Sequence, residues 1–235
     1  MPTSTASNNW NAEKDMSLWE EIAIEAHSRH SRKTSAYISF QTIVEERAHK
    51  IVAERARGAA RVLEIGVGGG EHLVYRHPDA GSERYVGLDL SPEYAQICHE
   101  KFGIEVACCD AADMPFADEE FDCVVAVSIL EHVERLDDTL AAVRRVLKPG
   151  GHFHIVVPTN GSIAINTFKA VMTYPTMRRR GIERPDLVWH RLNVNSFKRI
   201  RATVNSHFTC VRETGVPMPF MPWWMAPLMV FEARK

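Results

Sequence analysis

Five short apolar runs dominate residues 58–158, and they restrict the fold more than any other feature of the chain. They are Arg61–Ile65, Arg84–Leu88, Ile104–Cys109, Phe121–Val127 and Gly151–Val157. A run that is apolar throughout, rather than alternating, suits a strand buried on both faces, as in a parallel sheet. Between the runs, Glu71–His77, Pro92–Phe102 and Leu136–Leu147 read as helices. Ser91 before Pro92 combines an N-cap hydroxyl with proline at the first helical position. Lys148-Pro149-Gly150-Gly151 reads as a helix stop. Strands alternating with helices predict a doubly wound α/β sheet.

The flanks follow a different rhythm. Residues 1–15 read as a disordered polar tail, and residues 16–57 as a helical lid with a break near Ser28–Ser35. Residues 159–206 read as a cap, with a helix near Ile163–Thr173. His207–Glu213 and Leu228–Glu232 read as final strands within 207–235. The tract between those strands, Pro217–Pro227, is too rich in proline for a central strand. At 235 residues and 45% hydrophobic, the chain can bury one substantial core. A net charge of −2 gives no global attraction to nucleic acid. No apolar run reaches the roughly 18 residues of a membrane span, and the start lacks the apolar stretch of a secretion signal. Five cysteines without C-x-x-C spacing suit reduced thiols in a cytoplasm.

The first run ends in Leu63-Glu64-Ile65-Gly66-Val67-Gly68-Gly69-Gly70. Glycines at 66, 68 and 70 allow a tight turn and close approach of a ligand to the backbone. A helix beginning just beyond would aim its free N–H groups at that ligand. The dinucleotide fingerprint G-x-G-x-x-G would need glycine at 71, where Glu71 stands. The second run ends in Asp89, a carboxylate able to accept from both hydroxyls of a ribose; its bland reading is a helix cap, a role Ser91 already fills. Leu90 can lie against an adenine face. At the third strand tip Asp110 can accept from an adenine amino group, and the Ala111 N–H can donate to the ring. Ligands of open α/β sheets bind at such carboxyl ends.

These segments, with CDAADMPFADEEFDCVVAVSILEHV and AAVRRVLKPGGHFHI, resemble the ordered motifs of class I S-adenosylmethionine-dependent methyltransferases. The likeness is to the type 11 subgroup, which includes enzymes of ubiquinone and menaquinone biosynthesis. The resemblance covers residues 58–158. It implies a Rossmann-like, seven-stranded sheet of order 3-2-1-4-5-7-6 with strand 7 antiparallel, N-terminal helices and a small cap insertion. It implies transfer of a methyl group from S-adenosylmethionine, leaving S-adenosylhomocysteine, to a small-molecule acceptor. It assigns the methionine part of the donor to Glu64 and the backbone of Gly66, Val67, Gly68 and Gly70. It assigns the ribose to Asp89 and the adenine to Leu90, Asp110 and Ala111, with Val127 and Ser128 lining the methionine end.

Methyl transfer needs alignment above all, and a general base only where the acceptor holds a proton it must lose. His132 is the candidate base nearest the expected transfer point, against the plain reading that it fixes its loop. His190 is a second candidate, against that of a surface histidine. Tyr37 can close over the donor or simply pack its helix. Arg191 belongs to a basic stretch, residues 178–201, able to bind a carboxylate or phosphate; a solvated helix face explains that stretch equally well. Residues 217–229, with Phe220, Trp223 and Trp224, can line an acceptor pocket, form a homodimer contact, touch a membrane surface, or be buried. Adjacent Cys108 and Cys109 read as core residues rather than an arsenic site. The histidines lack metal spacing, so no metal is expected. An RNA or protein methyltransferase, or a donor-binding protein without catalysis, remains the competing reading. Against the first, N/D-P-P-Y is absent after the fourth strand.

Overall fold

The computed structural model describes residues 11–28, 36–76 and 84–235. Seven strands form one sheet: β1 (Arg61–Ile65), β2 (Arg84–Asp89), β3 (Glu105–Cys108), β4 (Phe121–Val127), β5 (Leu147–Pro158), β6 (Thr209–Val216) and β7 (Leu228–Arg234). Their order is β3-β2-β1-β4-β5-β7-β6. Strands β1 to β5 pair in parallel, and β7 runs antiparallel to both β5 and β6. Order and directions are those the resemblance implied.

Two layers of helices cover the sheet. The helices are α1 (Ala12–Ser28), α2 (Ala36–Arg55), α3 (Pro92–Phe102), α4 (Leu136–Val146), α5 (Ile163–Phe168), α6 (Tyr174–Arg179), α7 (Pro185–Leu192) and α8 (Phe197–His207). On one face, Val44, Ala48 and Val52 of α2 and Cys98 of α3 meet Val62, Val125, Val156 and Val230 of the strands. On the other, Leu136, Leu140 and Val143 of α4 and Phe197, Ile200 and Val204 of α8 meet Leu63, Val124 and Phe153. Strand residues alternate between faces, so continuous apolar runs supply both cores. A third, small core joins Met16, Leu18 and Trp19 of α1 to Met177, Ile182 and Val188 of the cap.

Four expectations change. No α-helix follows the glycine loop among the described residues; a single 3₁₀ turn, Leu73–Tyr75, takes its place. Residues 12–15, expected in the tail, are helical, because Asp15 is fully buried and accepts from the N–H groups of Glu183 and Arg184 at 3.1 and 2.9 Å. The helix does stop before 148–151, α4 ending at Val146, but β5 begins at Leu147 rather than at Gly151, and its irregular entry shifts register against β4. Cys108 is exposed and Cys109 half-buried, because β3 is an edge strand. Residues 1–10 and most of the expected break at 28–35 lie outside the described residues.

Candidate functional site

The sheet reverses its winding between β1 and β4: β1 lies between β2 and β4, with β3 on one side and β5 on the other. Loops leaving neighbouring strands at such a switch point part company and open a crevice at the carboxyl ends. Here the parting loops are the glycine loop after β1 and Ser128–Glu134 after β4.

The three glycines do different work. Gly66 has φ +66°, and a Cβ there would run into the Ile129 side chain, so the two loops are packed as closely as glycine allows. Gly70 is closed off in the same way by the Phe102 ring. Gly68, at φ +53°, faces only the Glu71 carboxylate, 3.2 Å from where its Cβ would stand. Its N–H donates to Asp89 Oδ2 at 2.9 Å. The other Asp89 oxygen accepts from Ser91 N–H at 3.0 Å. Ser91 caps α3, its Oγ accepting from Tyr94 N–H at 3.3 Å, so Asp89 is not spent as a cap. Beside it Leu90 is 71% exposed, a large apolar side chain left in the open at a strand tip. Asp110 Oδ1 accepts from Ala112 N–H at 2.8 Å, which turns the chain and buries Ala111.

Other candidates sit further in. Val67 is buried in the core under α2, so only its backbone belongs to the loop. Glu64 is also buried; its Oε2 accepts from the Tyr85 hydroxyl at 2.7 Å, and burial pushes its pKa up to about 8. It lies beneath the loop rather than at the opening, where burial favours its neutral form. Val127 is half-buried. Ser128, the next residue, is exposed at φ +50°, its N–H held by the Val156 carbonyl at 2.9 Å. A non-glycine residue in this region stores strain, a common feature of functional loops.

Residues 63–155 match the family model described as a methyltransferase domain. Over 108 residues the chain is 37% identical to a fatty-acid O-methyltransferase of Mycolicibacterium smegmatis, covering 45% of this chain and 39% of that one. Over 97 residues it is 35% identical to a ubiquinone/menaquinone biosynthesis C-methyltransferase of Desulfotalea psychrophila, covering 40% and 39%. The chain thus spans well under half the length of these relatives. A Thermotoga maritima structure described as a SAM-dependent methyltransferase, possible histamine N-methyltransferase, superposes with a TM-score of 0.65. It is 16% identical, over 94% of this chain and 99% of that one, and shares the fold. Residues 63–155 thus match a methyltransferase domain, and the chain shares its fold with a solved structure described as a SAM-dependent methyltransferase.

The remaining candidate residues lie on the loop after β4 and in the segment 159–206. His132 is exposed, and its Nδ1 lies 2.7 Å from the Leu192 carbonyl. A carbonyl only accepts, so the Nδ1 carries the proton and the Nε2 of the neutral ring keeps its lone pair. Glu131, next to it, is buried, with Oε2 lacking a partner and a pKa raised by burial to about 8. Asn195 ties the cap to this loop, donating from Nδ2 to the Leu130 and Val133 carbonyls at 2.9 and 2.5 Å. His190 and Arg191 are exposed on α7, and no hydrogen bond joins either to His132 or to the glycine loop. Tyr37 lies on α2, with its side chain outside the described residues.

The basic stretch is partly neutralised. Arg184 makes a two-point pair with Asp186 at 3.1 and 2.8 Å, and Arg201 pairs with Glu213 at 2.6 Å. The aromatic tract divides: Trp223 stacks on Phe197 at 5.4 Å, while Phe220 is 80% exposed and Trp224 and Met225 are also exposed. Sequence reasoning took Glu131 only as a residue fixing the loop with His132, and missed Asn195 and the buried Lys169 as polar groups of the cap. Glu131 was visible beside His132; nothing in the local pattern marked the other two. Among the described residues there is no cluster suited to a metal and no helix long and apolar enough to cross a membrane.

Proposed function

We propose that the protein transfers a methyl group from S-adenosylmethionine to a small-molecule acceptor at O, N or C. The observation that carries this reading is the grouping of Gly68, Asp89 and Leu90 at neighbouring strand tips beside the switch point. An open glycine, an oriented carboxylate and an exposed leucine stand together where a nucleoside would need a backbone cradle, a ribose acceptor and an apolar base platform. The donor fits these residues. A side chain at 68 would fill the cradle, and the lone pairs of Asp89 beyond its two backbone bonds are free to take ribose hydroxyls. Leu90 gives adenine a face, with Asp110 and Ala111 at its edge. Gly66, Val67, Gly68 and Gly70 line the methionine end through their backbone, above Glu64 and beside Val127 and Ser128.

S-adenosylmethionine, when bound, supplies a methyl group on a sulfonium that leaves as a neutral thioether. The acceptor atom forms its bond to that carbon as the carbon–sulfur bond breaks, so the protein's main task is alignment and exclusion of water. For a protic acceptor the proton goes to His132 Nε2, the ring nitrogen that the Leu192 carbonyl does not hold. His190, Arg191 and Tyr37 are candidates for contacts with the acceptor. The same reading keeps the protein in the cytoplasm, needs no metal or nucleic acid, and reserves residues 217–229 for a pocket wall or a homodimer contact.

Calorimetric titration with S-adenosylmethionine and S-adenosylhomocysteine tests the reading. Wild type should bind in the micromolar range, about −8 kcal/mol, and Asp89→Ala should weaken both ligands by about 100-fold, about 2.7 kcal/mol. Folded wild type that binds neither would sink the proposal.

A further inference from the structure

The cap contains a largely buried lysine, Lys169, that no acid among the described residues pairs with. Between α5 and α6 the helix widens into a π-helical stretch, Lys169–Thr173, a form often found at functional sites. Lys169, its first residue, is only 8% exposed. Its Nζ stands 5.0 Å from the centre of the Trp189 ring, and among the described residues no carboxylate or carbonyl pairs with it. Burial lowers its pKa, and no neighbouring charge opposes the shift. The Trp189 indole Nε1 is also buried without an acceptor. The indole N–H is therefore left unmatched, a cost that a bound acceptor would remove, and the ammonium lies against the same ring with no acceptor among the described residues.

Their position is fixed from the sheet. Asn193 Nδ2 donates to the Trp189 carbonyl at 2.9 Å, and Asn160 Nδ2, just beyond the end of β5, donates to Asn193 Oδ1 at 2.8 Å. One turn along α7 from Trp189, the Leu192 carbonyl holds His132. The helix that carries Lys169 also exposes Ile163, Val171 and Met172, and its Ala164 N–H meets the carbonyl of exposed Trp224.

We propose that Lys169 and Trp189 form the head-group site of the acceptor, which is an amphipathic molecule carrying an oxyanion on an apolar body. The inference rests on the methyl-transfer reading for its place in the reaction, and it moves anion recognition from exposed Arg191 to the buried lysine. An ammonium and an indole N–H offer two donors to two oxygens of one carboxylate or phosphate. The exposed apolar side chains receive the remainder of the molecule.

The probes are dodecanoate, dodecyl phosphate and dodecanol, each below its micelle-forming concentration, added to protein saturated with S-adenosylhomocysteine. The readout is the ¹⁵N-indole resonance of Trp189, assigned by its loss in Trp189→Phe. Dodecanoate or dodecyl phosphate should shift it, the stronger of the two identifying the head group, while dodecanol should not. Lys169→Met should weaken the anionic probe at least tenfold, keep S-adenosylhomocysteine affinity within twofold, and melt no lower than wild type, because it removes an unpaired buried charge. Lys169→Arg should retain part of the affinity. Equal shifts with dodecanol, or unchanged dodecanoate and dodecyl phosphate affinity in Lys169→Met, would overturn the proposal. Failure of S-adenosylhomocysteine to bind wild type would instead count against methyl transfer, with the anion titration still readable.

Discussion

The tips of β1, β2 and β3 and the cap treat their polar groups in opposite ways. Around the glycine loop, both oxygens of Asp89 are engaged by backbone N–H groups, and Asp110 holds its own turn. None of the buried polar atoms left without a partner belongs to the loop, Asp89, Ser91 or Asp110. In the loops after β4 and β5 and in the cap, Glu131 Oε2, Asn160 Oδ1, Trp189 Nε1 and Asn195 Oδ1 are all buried and unmatched among the described residues. A binding site that is already satisfied is preorganised, and its ligand pays little to order it. A site with unmatched groups is completed by its ligand and discriminates against molecules that cannot complete it. The contrast suits an enzyme with one fixed donor and a particular acceptor.

The sharpest way to break the comparison is within the glycine loop itself. Gly66→Ala must drive a Cβ into Ile129 and also hold a left-handed φ. It should cost about 2–4 kcal/mol in denaturant unfolding, overpacking and backbone strain together. Gly68→Ala meets only a flexible carboxylate, so it should cost about 1–2 kcal/mol from φ alone. Its larger effect should be on S-adenosylhomocysteine affinity, since the methyl group stands in the open cradle. Equal stability losses would mean that the division between a packing glycine and a ligand-facing glycine is mistaken.

The two buried carboxyls offer a second test, one from each region. Glu64 and Glu131 are raised from 4.5 to about 8, so each is protonated in the fold while the unfolded chain ionises above 4.5. Their stabilisation is present below 4.5 and is lost as pH rises toward 8. His72 and His154 are lowered by burial to about 3 and about 4, so they stay neutral in the fold while the unfolded chain protonates below 6.5. Their stabilisation is present above 6.5 and is lost as pH falls. From these four groups the opposing slopes cancel between 4.5 and 6.5, and stability declines from 6.5 to 8. Each carboxyl contributes up to about 1.4 kcal/mol per pH unit to that decline. Glu131→Gln and Glu64→Gln, measured by urea unfolding across this range, should each remove one carboxyl's share. A wild-type profile that rises from 6.5 to 8 would show that these carboxyls are ionised in the fold.

The same division decides what could be read from the residues alone. Backbone rules govern the donor side: continuous apolar runs give parallel strands, glycine gives a left-handed turn, and an acid at a strand tip follows from sheet topology. Each leaves a local mark, so the parallel strands and the positions of Gly68, Asp89 and Leu90 at their tips were legible, while the strand order came only through the family resemblance. The missing helix after the loop was less so, because Glu71–His77 has helical composition and only His77-Pro78 warned against its length. The cap obeys no such rule. Lys169 is buried because Trp189, twenty residues on, lies under its ammonium, and Asn195 matters because it reaches Leu130 and Val133. Those are tertiary contacts between residues that look like ordinary surface positions. Conversely, the arginines that stood out in composition are largely solvated or paired with neighbouring acids.

The smallest expected effect lies where the two regions meet, at Ser128. Its φ of +50° is imposed by the path of the chain from β4 into the loop that carries His132, and its N–H is held by Val156. Ser128→Ala keeps the strained backbone and should leave stability close to wild type. Ser128→Gly releases the strain, about 1 kcal/mol for a residue with a Cβ, but gives freedom back to the unfolded chain. The glycine variant should therefore be more stable than the alanine variant by about 0.5 kcal/mol. Its methyl-transfer rate should fall even so, because a freer residue at 128 lets His132 and the donor cradle drift apart, and small losses of alignment are expensive in rate. A glycine variant at least as active as wild type would mean that the strain at the strand tip serves packing only, and that His132 is positioned from the Leu192 side.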